Sequence, residues 1–380
     1  MSYILAVNPQ ILGETGMDKG ALFTTTPIAA IAGTLFMALI ANVPIAQAPG
    51  MGLNAFFTYT VVMGMGYSWQ LALTAVFLEG IVFILLSFFK VREKIIDAIP
   101  ANLKKAISVG IGLFIALIGL ANAGLVSSET GTIIGFVNLR GAPLVATIGL
   151  AVTAVLYCCK VPASILLGII ITTVIGIPFG VTKIPAGFVP FATPAAPLFC
   201  QFEFHNILTV KFFTVFFTFF FVDIFDTVGT LVGVTTEGGL IKDGKIPRVK
   251  QALLSDAIGT VAGAMLGTST VTSFVESTSG VAAGGRTGLT SLTTGILFLV
   301  ALFLSPLFLL VPSAATAPAL IIVGFFMLRN VVSIDFTDPA EGIPSFICIL
   351  VMPFAYSIAE GIVWGLVSFV LLKLVTGKST

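Results

Sequence analysis

The sequence predicts an all-α polytopic membrane protein of fourteen spans. They form two inverted seven-span repeats, with short strands in broken spans three and ten. Three observations lead there. Of 380 residues, 57% are hydrophobic and only 9% charged, against about 25% charged in a soluble domain. So few charges cannot clothe a water-soluble globule of this size. Apolar runs near ~20 residues, long enough to cross a bilayer, recur along the whole chain. Two segments interrupt that pattern with Gly, Pro, Ser and Thr at membrane depth. Such backbone is tolerated in lipid only where protein buries it or it lines a cavity.

Taken in order, residues 1–12, MSYILAVNPQIL, read as the second half of a spanning helix, a truncated first span. The stretch is too short for a secretory signal and lacks a basic start. Ordinary spans follow at 27–43, 69–89, 105–124, 142–158, 161–179, 209–233, 251–267, 287–305, 313–328, 343–357 and 359–376. The broken segments, 44–64 and 270–284, each read as a short extended stretch followed by a half-length helix. They become spans three and ten, seven apart, and because seven is odd the halves run inverted. A further match joins the halves. Pro100 in IPANLKKAISVGIG and Pro312 in VPSAATAPALIIVG each stand twelve residues before a glycine, Gly112 and Gly324. Inverted repeats with broken helices at matching positions point to a secondary transporter with a midplane site. Chance similarity between apolar segments is the alternative.

Orientation follows from Lys and Arg. Joints after even-numbered spans hold Lys90, Arg92, Lys94, Lys104, Lys105, Lys160, Lys242, Lys245, Arg248, Lys250, Arg329, Lys373 and Lys378. Joints after odd-numbered spans hold only Lys19, Arg140, Lys183 and Lys211. The excess places the even joints and the carboxyl end in the cytoplasm of a cell-membrane (inner or plasma membrane) protein. A net charge of +1 gives no reason to expect a nucleic-acid partner. Cys158, Cys159, Cys200 and Cys348 lack zinc or CxxC spacing and mostly lie in apolar runs, so small buried packing residues are expected. His205 is the only histidine and sits among loop residues, a poor setting for a base or metal ligand. No HExxH, GxSxG or cysteine–histidine set is present, which argues against a membrane enzyme, and no cofactor is expected.

Acids inside spans are the functional candidates, because placing one in the membrane costs about 2.5–3.5 kcal/mol on insertion scales. Asp223 and Asp226, in FFFVDIFDTVGTL, are three apart and share a helix face. Two carboxylates close together in a poor solvent resist being ionised at once, which suits proton coupling. Bonding to Thr227 or Thr230 is the alternative. Glu276 lies in GTSTVTSFVESTSGVAAGGRTG, where a strand-prone run meets helix-starting STSG. At that amide end a carboxylate accepts ligand N–H groups, or simply caps the helix. In ANVPIAQAPGMGLNAFFTY, Pro44 and Pro49 bracket an extended run, and Gly50 and Gly52 let a backbone or a flat ligand approach. Gln47 and Asn54 supply amides, with bonding to its own segment the alternative for Asn54. Phe56, Phe57 and Phe274 are candidates to stack on a planar ring, though any one phenylalanine is more often packing. Lower in rank, Glu79 is expected to meet a hydroxyl, Asp256 to pair with Lys250 or Arg248, and Glu360 to cap a helix.

NVPIAQAPGMGLNAFF, FVDIFDTVGTL and GTSTVTSFVESTSGVAAGGRTGLTSL closely resemble the guanine/hypoxanthine/adenine permeases. These form the azaguanine-permease-like branch of the nucleobase/cation symporter (xanthine–uracil permease) family. VNPQIL and YSIAEGIVWG also look like that branch, so the resemblance covers nearly the whole chain. It implies a core domain of spans 1–4 and 8–11 (residues 1–90 and 209–306). It also implies a gate domain of spans 5–7 and 12–14 (residues 91–208 and 307–380), with substrate between them. Carried over residue by residue, it implies binding acids at Asp223, Asp226 and Glu276 and a binding amide at Asn54. The expected substrate contacts are Gln47, Asn54, Asp223, Phe274, Glu276 and Thr278, and the expected proton-coupling groups are Asp223 and Asp226. The expected function is import of guanine, hypoxanthine or adenine by proton symport with alternating access. Relatives imply a homodimer in the lipid bilayer. A uracil or xanthine permease and a sulfate-type anion transporter are the alternatives; three central acids argue against the anion.

Overall fold

Hydropathy draws most of the element boundaries. A computed structural model describes residues 1–88, 100–127, 135–185, 188–205, 207–240, 246 and 248–377. Lys90, Arg92, Lys94, Lys242, Lys245 and Lys378, part of the expected cytoplasmic charge, lie outside these residues, as does the expected boundary between residues 90 and 91. The chain is mostly helical. α1 (Ile4–Gly13) leads to α2 (Lys19–Phe36), which widens into a π-helical turn at Met37–Ala41. β1 (Gln47–Pro49) precedes α3 (Met51–Ala55), which continues as a π-helix over Phe56–Gly64. α4 (Trp69–Phe88), α5 (Ala101–Asn122), β2 (Val126–Ser127) and β3 (Gly135–Phe136) follow. Next come α6 (Ala142–Cys158), α7 (Ser164–Gly176), α8 (Val210–Glu237) and α9 (Val249–Leu266). β4 (Val271–Ser273), α10 (Ser277–Ala282), α11 (Gly288–Ala301) and α12 (Ser305–Leu309) lead to the last three helices. These are α13 (Ser313–Leu328), α14 (Pro339–Phe354) and α15 (Ile358–Thr376). Among the described residues, 7 helical stretches are long and apolar enough to cross a membrane, and α1, α6, α7 and α14 are shorter apolar helices.

Local chemistry sets the helix ends. The Asp18 carboxylate accepts from the Ala21 amide at 2.7 Å, satisfying an orphan donor at the start of α2. Ser357 does the same for Glu360 at 3.3 Å, so α15 is capped by the serine, with Glu360 in its first turn. Gly267, at φ 93°, stops α9 in the left-handed conformation that glycine adopts without strain.

Packing divides the chain into two compact units, one of residues 3–104 and 193–305, the other of 105–192 and 306–380. In the first unit β1 pairs antiparallel with β4, Gln47 opposite Ser273 and Pro49 opposite Val271. Two strands alone are marginal, and their remaining backbone groups need partners inside a bilayer. Threonines supply them. Thr34 of α2 donates to the Gln47 carbonyl at 3.0 Å and accepts from the Gln47 amide at 2.9 Å. Thr260 of α9 donates to the Val271 carbonyl at 2.9 Å. Each threonine follows a glycine. A Cβ on Gly259 would lie 3.1 Å from the Gly33 Cα, so α2 and α9 cross tightly there.

In the second unit the two glycines of the proline–glycine match meet each other. A Cβ on Gly112 of α5 would lie 2.7 Å from the Gly324 carbonyl oxygen, and one on Gly324 of α13 would strike the Gly112 carbonyl. Gly324→Val is therefore expected to cost about 3 kcal/mol, the upper part of the overpacking range. Thermal unfolding in detergent measures this; an unchanged melting temperature would refute the crossing.

The cysteines correct an expectation. Only Cys348 is buried; Cys158, Cys159 and Cys200 are free and exposed. Cys158 closes α6 and Cys159 follows it, while Cys200 lies in a turn at φ 52°. Apolar sequence neighbours mark the end of a span as readily as its interior.

Candidate functional site

The acids gather around the strand pair of the first unit. Beyond the strands proper, the Gly50 amide donates to the Thr270 carbonyl and the Phe274 amide to the Ala46 carbonyl, both at 3.0 Å. At the Phe274 end the chain turns into α10. Ser277 Oγ accepts from the Ala46 amide at 3.1 Å, tying the helix start to the first broken segment. Glu276 is half-buried at this turn. Its side chain makes no capping bond; instead its Oε1 accepts from the hydroxyl of Tyr3 on the turn before α1. Tyr3 is buried, and within electrostatic reach of both Glu276 and Asp226.

Asp226 reaches this group from α8. It lies within electrostatic reach of Glu276 and Asp256. Gly50 is needed beside it, because a Cβ there would lie 2.5 Å from Thr272 Cγ2 and 3.7 Å from Asp226 Oδ2. Asp223 lies one turn earlier on α8 and is wholly buried.

Asp256 corrects a further expectation. It is wholly buried, and its Oδ1 accepts from Gln47 Nε2 at 3.0 Å and Thr227 Oγ1 at 2.7 Å, with Ser273 Oγ at 3.5 Å. Lys250 and Arg248, its expected partners, are exposed. α9 turns Asp256 inward, where uncharged donors from three other elements converge on it.

Asn54 lies toward the other end of the strand pair. Its Oδ1 accepts from Ser269, and its wholly buried Nδ2 has no hydrogen-bond partner among the described residues. Next to Ser269, Thr270 donates to Glu79 Oε2 at 3.2 Å, the hydroxyl contact expected for that acid. On the other side, Thr268 accepts from Asn8 Nδ2 at 3.1 Å, and Asn8 also donates to Thr26 at 2.7 Å. From Thr270 to Phe274 the chain advances four residues, roughly 13 Å if fully extended, so Asn54 and Glu276 flank opposite ends of the pair.

Of the remaining candidates, Gln47, Phe274, Phe56 and Phe57 are buried and Thr278 is half-buried. Gln47 is committed to Asp256 and Ser273. Phe274 is buried. Phe56 and Phe57 pack edge-on against Phe219, with centroids 4.9 and 6.4 Å away. Thr278 donates to the Val275 carbonyl at 2.8 Å. The structure thus unites Glu276 with Asp226, brings in Asp256, a lower-ranked candidate, and adds Tyr3, Thr227 and Thr272, none of which was an expected site residue. Tyr3 had a usable signal: a hydroxyl inside an apolar half-span has to find a partner.

Residues 1–363 match the family described as Permease family (Xan_ur_permease). A putative permease of Methanocaldococcus jannaschii is 47% identical over 380 residues, covering 100% of this chain and 87% of that protein. The guanine/hypoxanthine permease PbuG of Bacillus subtilis is 45% identical, covering 100% of this chain and 89% of that protein. The adenine permease AdeP of Escherichia coli is 42% identical, covering 100% and 85%. Among solved structures, the transmembrane domain of a cyanobacterium bicarbonate transporter, BicA, superposes with a TM-score of 0.69 at 16% identity, covering 96% of this chain and 95% of that one. At that identity the likeness is one of fold alone.

Proposed function

Because the chain belongs to the Permease family, and so is a multi-pass membrane transporter and not an enzyme, we propose that it carries purine nucleobases by proton symport. Guanine, hypoxanthine and adenine are the substrates in view. Relatives named guanine/hypoxanthine and adenine permeases, covering the full chain, support the substrate class. The observation that carries the site is Glu276, half-buried and held by Tyr3 within reach of Asp226.

In this reading a neutral purine presents ring and exocyclic N–H groups, and the Glu276 carboxylate accepts them. Tyr3 occupies Oε1 and orients the group, leaving Oε2 toward the ligand. Asp226 takes the coupling proton, with Asp223 the second acid of the same helix face. Fourteen spans in two inverted halves, the carboxyl end in the cytoplasm, open the site alternately to either side of the membrane. The fold shared with a bicarbonate transporter adds no anion reading, since the acids here would repel one.

Uptake of labelled hypoxanthine, competed by guanine, adenine, xanthine and uracil, tests the proposal. Saturable uptake blocked by guanine and adenine is expected, stronger with an inward proton gradient and indifferent to sodium. Block by xanthine or uracil alone would move the substrate to the other branch. Tyr3→Phe should remove a bond to a charged acceptor, worth about 1.5–3 kcal/mol, and raise KM roughly 10- to 100-fold. An unchanged KM would remove Tyr3 from the site.

A further inference from the structure

In the second unit the start of α5 meets the ends of α6 and α13. α13 closes in a 3₁₀ turn, Arg329–Ser333. The apolar stretch Ser313–Ser333 is long enough to cross a membrane, so this turn stands where a span leaves the lipid. Three side chains from the neighbouring helices fix it. Tyr157 Oη accepts from Arg329 Nη2 at 2.8 Å, and Ser108 Oγ accepts from Asn330 Nδ2 at 3.0 Å. Lys105 Nζ donates to the Ser333 carbonyl at 2.5 Å. Between the two cations Val332 is 89% exposed.

Arg329 is placed but not neutralised. Its guanidinium carbon lies 5.2 Å from the ring centre of Phe325 and 5.9 Å from those of Tyr157 and Phe326. Such contacts hold a cation without cancelling its charge. Tyr157 takes one guanidinium N–H, and an arginine has about five to give. Among the described residues no carboxylate takes another. The acids that follow in sequence have other partners. Asp335 accepts from the Thr337 amide and hydroxyl and lies within electrostatic reach of Lys105. Asp338 caps α14 through the Ala340 amide, and Glu341 pairs with Lys373 at 3.1 Å. Lys160, exposed three residues after Tyr157, adds a further positive charge.

From this arrangement we infer that the Arg329–Ser333 turn is a docking site for an anionic phospholipid. The headgroup phosphate sits on Arg329, with Lys105 as a second positive charge on the same turn and the acyl chains against Val332. A guanidinium fork with free donors meets two phosphate oxygens at once, while an ammonium acts as a point charge. The turn rises about 2 Å per residue, so Ser333, where the Lys105 ammonium ends, stands roughly 8 Å along it from Arg329. That is within about one Debye length, and the two charges add. Exposed valine between cations suits a segment whose apolar side enters the bilayer while its charges stay at headgroup depth. Aromatic rings are favoured at the same depth. A free phosphate would use the cations but leave Val332 and the exposed Phe325 in water, so the lipid is the source that fits both. The site stands whatever solute the chain carries.

The test uses the purified full chain in a neutral detergent. It is titrated with phosphatidylglycerol, with phosphatidylcholine of the same acyl chains, or with inorganic phosphate, and bound lipid is counted by native mass spectrometry. Phosphatidylglycerol is expected to bind the wild type about tenfold more tightly than phosphatidylcholine or better. The double variant Lys105→Gln, Arg329→Gln should weaken phosphatidylglycerol roughly 20- to 30-fold, the loss of two basic contacts at a charged surface, and leave phosphatidylcholine where it was. Val332→Asp keeps both cations and should also weaken phosphatidylglycerol, by about fivefold or more; it carries the test should the double variant fail to fold. Phosphatidylglycerol should raise the melting temperature of the wild type and not that of the variants. Equal affinity for the two lipids overturns the site, as does wild-type phosphatidylglycerol affinity in the folded double variant. Unchanged affinity in Val332→Asp, or displacement of the lipid by inorganic phosphate at equal concentration, makes this a phosphate site and overturns the lipid as its occupant.

Discussion

Glu276→Gln is expected to lower purine kcat/KM at least a hundredfold in protein that still folds. Glutamine keeps the shape of the side chain, so packing is conserved. It replaces a charged acceptor by a neutral carbonyl and an NH2 group that is itself a donor. Facing a purine N–H, that NH2 leaves two donors opposed and unsatisfied. Hydrogen bonds to a charged group are worth about 1.5–3 kcal/mol, and about 2.7 kcal/mol suffices for a hundredfold loss. Folding should survive, because Glu276 makes no capping bond to α10 and the anchor of that helix start is Ser277 on the Ala46 amide. Uptake and equilibrium binding of labelled hypoxanthine, with gel filtration as the folding control, measure the loss. Wild-type uptake by a well-expressed variant would exclude Glu276 from the site.

Asp226→Asn is expected to uncouple transport from protons. Asparagine cannot take up and release a proton, so the variant loses gradient-driven accumulation about tenfold or more while counterflow of bound purine continues. The sign with pH follows. Wild-type uptake falls as external pH rises, because fewer protons load the carrier; the variant should be flat over the same range. Placement of Asp226 within reach of both Glu276 and Asp256 makes it the leading acid of its helix. The same change at Asp223 asks whether the second acid of that face shares the role. A pH profile unaltered in both variants would count against proton coupling through α8.

Much of the fold was readable because the signals are local. The predicted span at residues 142–158 coincides with α6, and that at 313–328 with α13. Pro44, Pro49 and Gly50 marked the first extended break and the alternating TSTVTSFV the second, and strands stand at both. The repeated Gly-Thr at Gly33–Thr34 and Gly259–Thr260 was also available in the sequence. It carries the helix crossing and the hydroxyl bonds to both strands.

Partners were not readable in the same way. The sequence by itself determined that the chain belongs in lipid, which segments break there, and which acids must have a reason to be there. Each of these is a cost borne residue by residue: hydropathy, backbone freedom, a charge removed from water. Only the tertiary structure decided which groups meet. Tyr3 and Glu276 are separated by 273 positions and Gln47 and Asp256 by 209. No local preference links residues so far apart. Packing of α2, α8 and α9 around one short strand pair brings them together, and it turned Asp256 from the expected partner of Lys250 or Arg248 into a buried acceptor of Gln47 and Thr227.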